Sequence, residues 1–354
     1  MNAKVISGIQ QIGIGVTNLK EAWRWYKKNF GMDIRMFEDN SVAEFMLPYT
    51  GGKPQRRHAV LALNLQGGGG FEIWQYVERK PQYPDFTIQL GDLGIFAAKI
   101  KCRDIKATYD FLKDNGVEMI SGLMPDPRGK EHFYVKDPYG NIFELVPSMN
   151  WLKDEKKPTG AVYGAIIGVS DIARAKEFYS SILGYDTIIF DETAVFNEFE
   201  NLPGGKSRIR RMLLNHSKPR AGGFSPVFGS SEVELVQVLD RQPQKIFNGR
   251  FWGDPGFIHL CYDIHGMGLL REECRAKGCP FTVDVDKDFD MGEAAGSFSY
   301  TEDPDGTLIE FVETYKIPLL KKIGWYLNLR KRDPEKALPR WLLMAIGFNR
   351  VKEI

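Results

Sequence analysis

The sequence predicts an α+β fold of four βαβββ modules followed by a helical tail, and three observations carry that reading. First, the chain repeats. At a constant offset of 153, "QIGIGVTNLKEAWRWYKKNFGMD" (11–33) lies over "GAIIGVSDIARAKEFYSSILGYD" (164–186). After nine extra residues, an offset of 162 sets "FEIWQYVERKPQ" (71–82) over "VELVQVLDRQPQ" (233–244). Second, the turn-and-strand segment "DPYGNIFELV" (137–146) returns as "DPDGTLIEFV" (303–312). Third, each copy holds two rounds of one pattern, in which a strand leads through a capping residue into an amphipathic helix.

In the first module a strand from Gln11 to Val16 precedes a helix with apolar residues at Leu19, Trp23, Tyr26 and Phe30, stopped near Gly31. Three strand-like runs follow. The second module repeats this with a strand at 95–102, a helix from about Ile105 to Asn115 closed by Gly116, and strands near 117–121, 130–136 and 141–147. Modules three and four begin near 162 and 256. The halves are therefore 1–150 and 161–315, joined by the polar stretch "NWLKDEKKPTG" at 150–160 and followed by a basic tail at 316–354.

With 47 basic and 46 acidic residues, the overall charge gives no reason to expect a nucleic-acid partner. The tail differs: residues 315–354 carry ten Lys/Arg against three Asp/Glu. Cys102, Cys261, Cys274 and Cys279 form no CxxC pair, and "MNAKVISGIQQIGIGV" runs straight into a strand-like segment, so a reducing cytoplasm is the simplest expectation. No apolar run reaches the length of a bilayer span.

The two "DP-G" turn-and-strand signatures, each after a strand carrying aromatics, resemble those of the vicinal oxygen chelate superfamily (glyoxalases, bleomycin-resistance proteins, extradiol dioxygenases). The resemblance covers roughly residues 5–314. It implies that pairs of modules curl into open barrels, giving two glyoxalase-like domains. It also implies that metal ligands come from the first and last strands of each module. Carried onto this chain, the first-strand positions are Gln11, Ala97, Gly164 and His259, and the last-strand positions are Glu72, Glu144, Glu234 and Glu310. Alternate residues of a strand share a face, which is consistent with that grouping.

If consecutive modules pair, both sites are incomplete. If the outer modules pair with each other, one site collects Gln11, Glu72, His259 and Glu310, and the inner pair is left with Ala97, Glu144, Gly164 and Glu234. The complementary losses favour the crossed arrangement. The full set would suit Zn, Ni, Mn, Co or Fe(II). Glu310, or Glu72 on the opposite side, would shuttle a proton, with His259 and Gln11 as ligands only. Trp74, Tyr76, Cys261, Phe298 and Tyr300 lie on the same faces and are expected to wall a substrate pocket; His132 and Tyr134 are the inner counterparts of the last two.

The expected function is that of a metal-dependent lyase or isomerase similar to glyoxalase I, acting on a small molecule with vicinal oxygens. An extradiol-type dioxygenase using Fe(II) and a non-catalytic binding protein are the alternatives. The clusters "RRH" (56–58) and "RIRR" (208–211) read as solvated strand ends before they read as anion sites. In the tail, Leu319, Leu320, Ile323 and Leu327 fit one helical face, and Trp341, Leu342, Ala345, Ile346 and Phe348 a second. Such helices dock on their own domain or a second subunit more often than on an anionic membrane.

Overall fold

The structure, a computed structural model, describes residues 4–290, 295–320, 325–330 and 332–354. Module one holds β1 (Val5–Gly15), α1 (Leu19–Phe30), β2 (Ile34–Ala43), β3 (Gln55–Leu63) and β4 (Gly70–Tyr76). Asn18 stops β1 and caps α1, its side chain accepting from the Glu21 amide, and Gly31 ends the helix at φ 66°. Module two holds β5 (Gly94–Cys102), α2 (Ile105–Asp114), β6 (Glu118–Met119), β7 (Met124–Pro125), β8 (Glu131–Lys136) and β9 (Ile142–Pro147).

Module three holds β10 (Thr159–Gly168), α3 (Ile172–Ser181), β11 (Thr187–Ala194), β12 (Ile209–Asn215), α4 (Ser225–Phe228) and β13 (Glu232–Val238). Module four holds β14 (Gly256–His265), α5 (Met267–Ala276), β15 (Val283–Asp290), β16 (Ala295–Glu302) and β17 (Leu308–Leu320). Asp104 and Asp171 cap α2 and α3 as Asn18 caps α1. At α5 the cap position is Gly266, and the Glu313 carboxylate accepts from the Gly266 and Met267 amides instead.

The strands join in two curled sheets that cross the halves of the sequence. One runs β15-β16-β17-β14-β1-β4-β3-β2, uniting modules four and one; the other runs β11-β12-β13-β10-β5-β9-β8-β6, uniting modules three and two. The seam of the first is the antiparallel pair β1–β14, in which Gln11 faces Cys261 and Gly13 faces His259. β1 is buried along nearly all its length because helices cover one face and the barrel interior the other.

The repeated "DP-G" turns have a role in this crossing. Tyr26 of α1 donates to Asp137 at 2.6 Å, and Tyr179 of α3 donates to Asp303 at 3.0 Å. Each bond ties a helix on one sheet to a turn on the other, so modules of one half stay in contact although they belong to different barrels. Rings of Tyr26, Phe30, Phe71, Phe143 and Phe257 fill the space beside the first bond.

The tail departs from the expected pair of helices. β17 continues to Leu320 and pairs antiparallel with β18 (Trp325–Asn328), so Leu319, Leu320 and Leu327 lie on strands where their spacing had suggested a helix; Ile323 lies outside the described residues. Pairing of β14 with β17 ends at Val312, which leaves backbone groups of residues 316–320 for β18. The second helix exists as α6 (Arg340–Met344), followed by a 3-10 turn over Ala345–Asn349. Leu342 and Leu343 pack with Leu338, Ile34, Leu61 and Phe228, while Trp341 and Phe348 are exposed. Arg350 pairs with Asp33 and Glu155, and Arg340 donates to carbonyls of Trp151 and Leu152, holding the tail on the chain's own surface. Among the described residues, no helix is long and apolar enough to cross a membrane.

Candidate metal centre

The β1–β14 seam, with β4 beside β1 and β17 beside β14, brings Gln11, Glu72, His259 and Glu310 to one point. His259 Nε2 lies 3.0 Å from Glu310 Oε2 and 3.3 Å from Glu72 Oε2. The ligand atoms of these three residues all fall within 4.8 Å of one another, and all three side chains are buried. Gln11 Nε2 is 3.4 Å from Glu310 Oε2.

His259 fits because Gly13 faces it: a Cβ on Gly13 would stand 2.4 Å from His259 Cε1. The ring is stacked on Trp252 at 6.3 Å and edge-on to Tyr300 at 5.5 Å. Trp74 Nε1 donates to Glu72 Oε1 at 3.2 Å and orients that carboxylate.

Two observations test whether a cation suits this donor set. Neither nitrogen of the fully buried His259 ring makes a hydrogen bond, although Nε2 sits between two carboxylates, and Gln11 Oε1 is also buried without a partner. Turning the Gln11 amide over would bring its oxygen toward Glu310, giving one nitrogen and three oxygens around one point. Such unsatisfied ring nitrogens and amide oxygen beside two carboxylates are what a divalent cation satisfies once the imidazole gives up its proton, and the O/N set suits a borderline metal. The residues fit a metal.

Electrostatics point the same way. Burial alone would pull the His259 imidazole down, but Glu310 and Glu72 overcome it and push it up to about 9. Burial would raise the Glu310 carboxyl, yet the facing His259, with Tyr300 and Cys261, holds it below the usual range. Burial, with Glu310 and Glu72 nearby, drives the Tyr300 hydroxyl well above its ordinary value.

A cavity of about 310 Å³ opens over the cluster, with Gln11, Glu72 and Glu310 in its wall. Of the residues expected to line a pocket, Trp74, Phe298 and Tyr300 do so. Tyr76 and Cys261 do not: Tyr76 donates to the Trp252 carbonyl within an aromatic cluster, and Cys261 is fully buried against Gln10.

The inner set is brought together as well, and it is filled by the chain itself. Lys99 bonds Glu144 and lies 2.7 Å from Glu234. Arg211 Nε donates to Glu234 at 2.7 Å, and His132 Nδ1 is 2.6 Å from Glu144. Lys99, Arg211 and both carboxylates are buried. Burial opposes the charge on Glu144 and Glu234, but the cations beside them hold both carboxyls low. Ile166, in the register position of Gly13, packs with Ala97, in the position of His259.

Lys99 and Arg211 were not singled out from the sequence. Arg211 lay in "RIRR", read as a solvated strand end, whereas it is buried and also bonds Glu198. The available signal for Lys99 was its spacing, two residues from Ala97 and thus on the interior face of a strand.

A crossed two-barrel protein with a buried Glu-His-Glu cluster under a cavity is the class that fold and site define. The sequence profile of the glyoxalase/bleomycin resistance protein/dioxygenase superfamily matches residues 8–145 and 162–311. The chain belongs to that superfamily. Among solved structures it is similar to a candidate dioxygenase from Bacillus subtilis, at 12% identity and a TM-score of 0.56, covering 88% of this chain and 86% of that one. It is also similar to glyoxalase I from Zea mays, at 14% identity and a TM-score of 0.51, covering 88% of this chain and 92% of that one. No curated protein matches.

Proposed function

We propose that the protein is a metal-dependent lyase or isomerase of the glyoxalase I type, moving a proton beside a carbonyl in a substrate with two neighbouring oxygens. The observation that supports this reading best is the convergence of Gln11, Glu72, His259 and Glu310 at the wall of a cavity. A divalent cation held by these residues would supply Lewis acidity toward the substrate oxygens. Glu310 accepts the proton at a carboxylate oxygen, and Glu72 faces the same cavity as the partner base. His259 is a ligand and takes no part in the transfer. The aromatic wall of Trp74, Trp252 and Phe298 keeps water from the reacting carbon.

The test is Glu310→Gln, assayed on α-hydroxy- and α-thio-carbonyl compounds in D2O. Turnover and deuterium wash-in are expected to fall about 10²- to 10⁴-fold, with bound metal largely retained; an active variant removes Glu310 from the mechanism. Consumption of O2 with strict dependence on Fe(II) would instead favour a dioxygenase.

A further inference from the structure

The cavity over the ligand cluster is far more apolar than a site for a charged carrier molecule would be. Its lining includes Phe37, Phe45, Leu61, Phe228, Leu343 and Ile346, from β2 to the C-terminal turn. The carboxylates of Glu72 and Glu310 are gathered at one place, their ligand atoms within 4.8 Å of each other.

Among the described residues lining the cavity, Arg57 is the one cation, and its charge is already engaged. Its Nη1 bonds Asp39 and lies 3.2 Å from Ser41 Oγ, while the guanidinium sits 5.1 Å over the Trp74 ring. Glu44 adds a further negative charge at the exposed rim. Away from the metal at the oxygen-binding end, an anionic group would therefore meet carboxylates and no free cation among the described lining residues. A cationic one would find only solvent-screened Glu44, since Glu72 and Glu310 face His259.

We infer that the substrate is an uncharged lipophilic molecule, carrying its vicinal oxygens at one end and an apolar body that lies under the segment 340–349. The inference rests on the metal-centred reading above for the oxygen-bearing end, and on the cavity lining alone for the apolar body. It also assigns a role to the tail. Arg340 and Arg350 clamp the tail to the surface, and Leu343 and Ile346 then close the distal wall. Substrate size is thereby set by a segment outside the repeated modules.

The experiment uses n-alkyl hydroxamic acids, from acetohydroxamic to octanohydroxamic acid, as uncharged probes with two adjacent oxygens. Binding is measured by calorimetry on the full-length chain loaded with Zn(II) and on the same chain stripped by chelator. Affinity is expected to rise roughly two- to fourfold per methylene, and Ile346→Trp should cut the octanoyl-to-acetyl affinity ratio about tenfold or more by filling the distal end. An octanoyl chain ending in a carboxylate should bind at least about tenfold more weakly than the methyl-ended chain.

Affinity independent of chain length would overturn the inference. So would a carboxylate-ended chain bound as tightly as the methyl-ended one, which would mean that Arg57 receives an anion. The carboxylate comparison uses unaltered protein, so it stands even where Ile346→Trp folds poorly. Chain-length dependence that persists while Zn(II) adds nothing to the affinity of any member of the series would support the apolar pocket and overturn the metal reading beneath it.

Discussion

The two barrels hold the same four positions and treat them in opposite ways. In the outer barrel Gly13 leaves room for His259, and Glu72 and Glu310 face an imidazole whose nitrogens make no hydrogen bond. In the inner barrel Ile166 and Ala97 exchange those sizes, and Glu144 and Glu234 are neutralised by Lys99 and Arg211, with His132 hydrogen-bonded to Glu144. Two carboxylates inside a barrel need a positive partner. The outer barrel offers its carboxylates an imidazole and a donor set that fits a metal, and the inner barrel has a lysine and an arginine built into the chain. In the inner barrel, buried carboxylates are kept without a metal ligand set because covalently attached cations pair with them.

The largest effect should come from removing that built-in cation. Lys99→Ala is expected to cost about 3–5 kcal/mol of stability, as breaking a buried ion pair does, read by urea unfolding. In a Glu72→Ala background, which removes an outer ligand, Zn(II) should restore part of this loss by occupying Glu144, Glu234 and His132. If Zn(II) gives no recovery there, the inner carboxylates serve only as ion-pair partners and the comparison loses its meaning.

Metal analysis sharpens the contrast from the other side. Wild-type protein should bind one divalent ion, and Glu72→Ala should weaken it more than about a hundredfold, a larger effect than outer-shell changes produce. Arg211→Lys, in the inner barrel, should leave the bound metal unchanged; loss there would place the ion in the wrong barrel. Gly13→Ala should lower affinity by about 10- to 100-fold, because its Cβ would meet His259 Cε1 at 2.4 Å. A variant that binds normally would show that the imidazole is free to move.

The smallest expected effect is graded with pH. His259 is held up to about 9 without metal, so below that pH a metal must displace a proton. Affinity should fall about tenfold per pH unit on descending from about 9 and level off above it, measured by competition with a chromophoric chelator. In the metal-free protein the sign is reversed for stability. The contribution of the raised pKa is full below the ordinary value of 6.5 and is lost as pH rises through about 9. A flat affinity profile would mean that His259 is neutral before metal arrives and that Glu72 and Glu310 do not hold its proton.

Much of this was readable from residues close together in the chain. Caps at Asn18, Asp104 and Asp171, alternation along the strands, and the repeated turns were sufficient for the modules, while the eight interior positions came from the family resemblance that those turns carry. The asymmetry between His259 and Ala97 suggested which barrel keeps a site, because equivalent positions in repeats can be compared directly. Tyr76 and Cys261 were placed in the pocket by alternation alone, which reports a strand's face and not how far the sheet curls.

Tertiary structure alone decided the rest. Module one pairs with module four through β1 and β14, whose facing residues Gly13 and His259 are far apart in sequence, and no local pattern specifies that choice. Lys99 reaches Glu234 across 135 residues, so its burial as a counter-ion cannot be told from an exposed strand lysine until the barrel closes. The tail's apolar spacing allows helix or strand, and the extension of β17 past its pairing with β14 settled it by offering backbone hydrogen bonds to 325–328. Periodicity and capping act between neighbours along the chain, whereas strand partnership and charge burial depend on which distant surfaces meet.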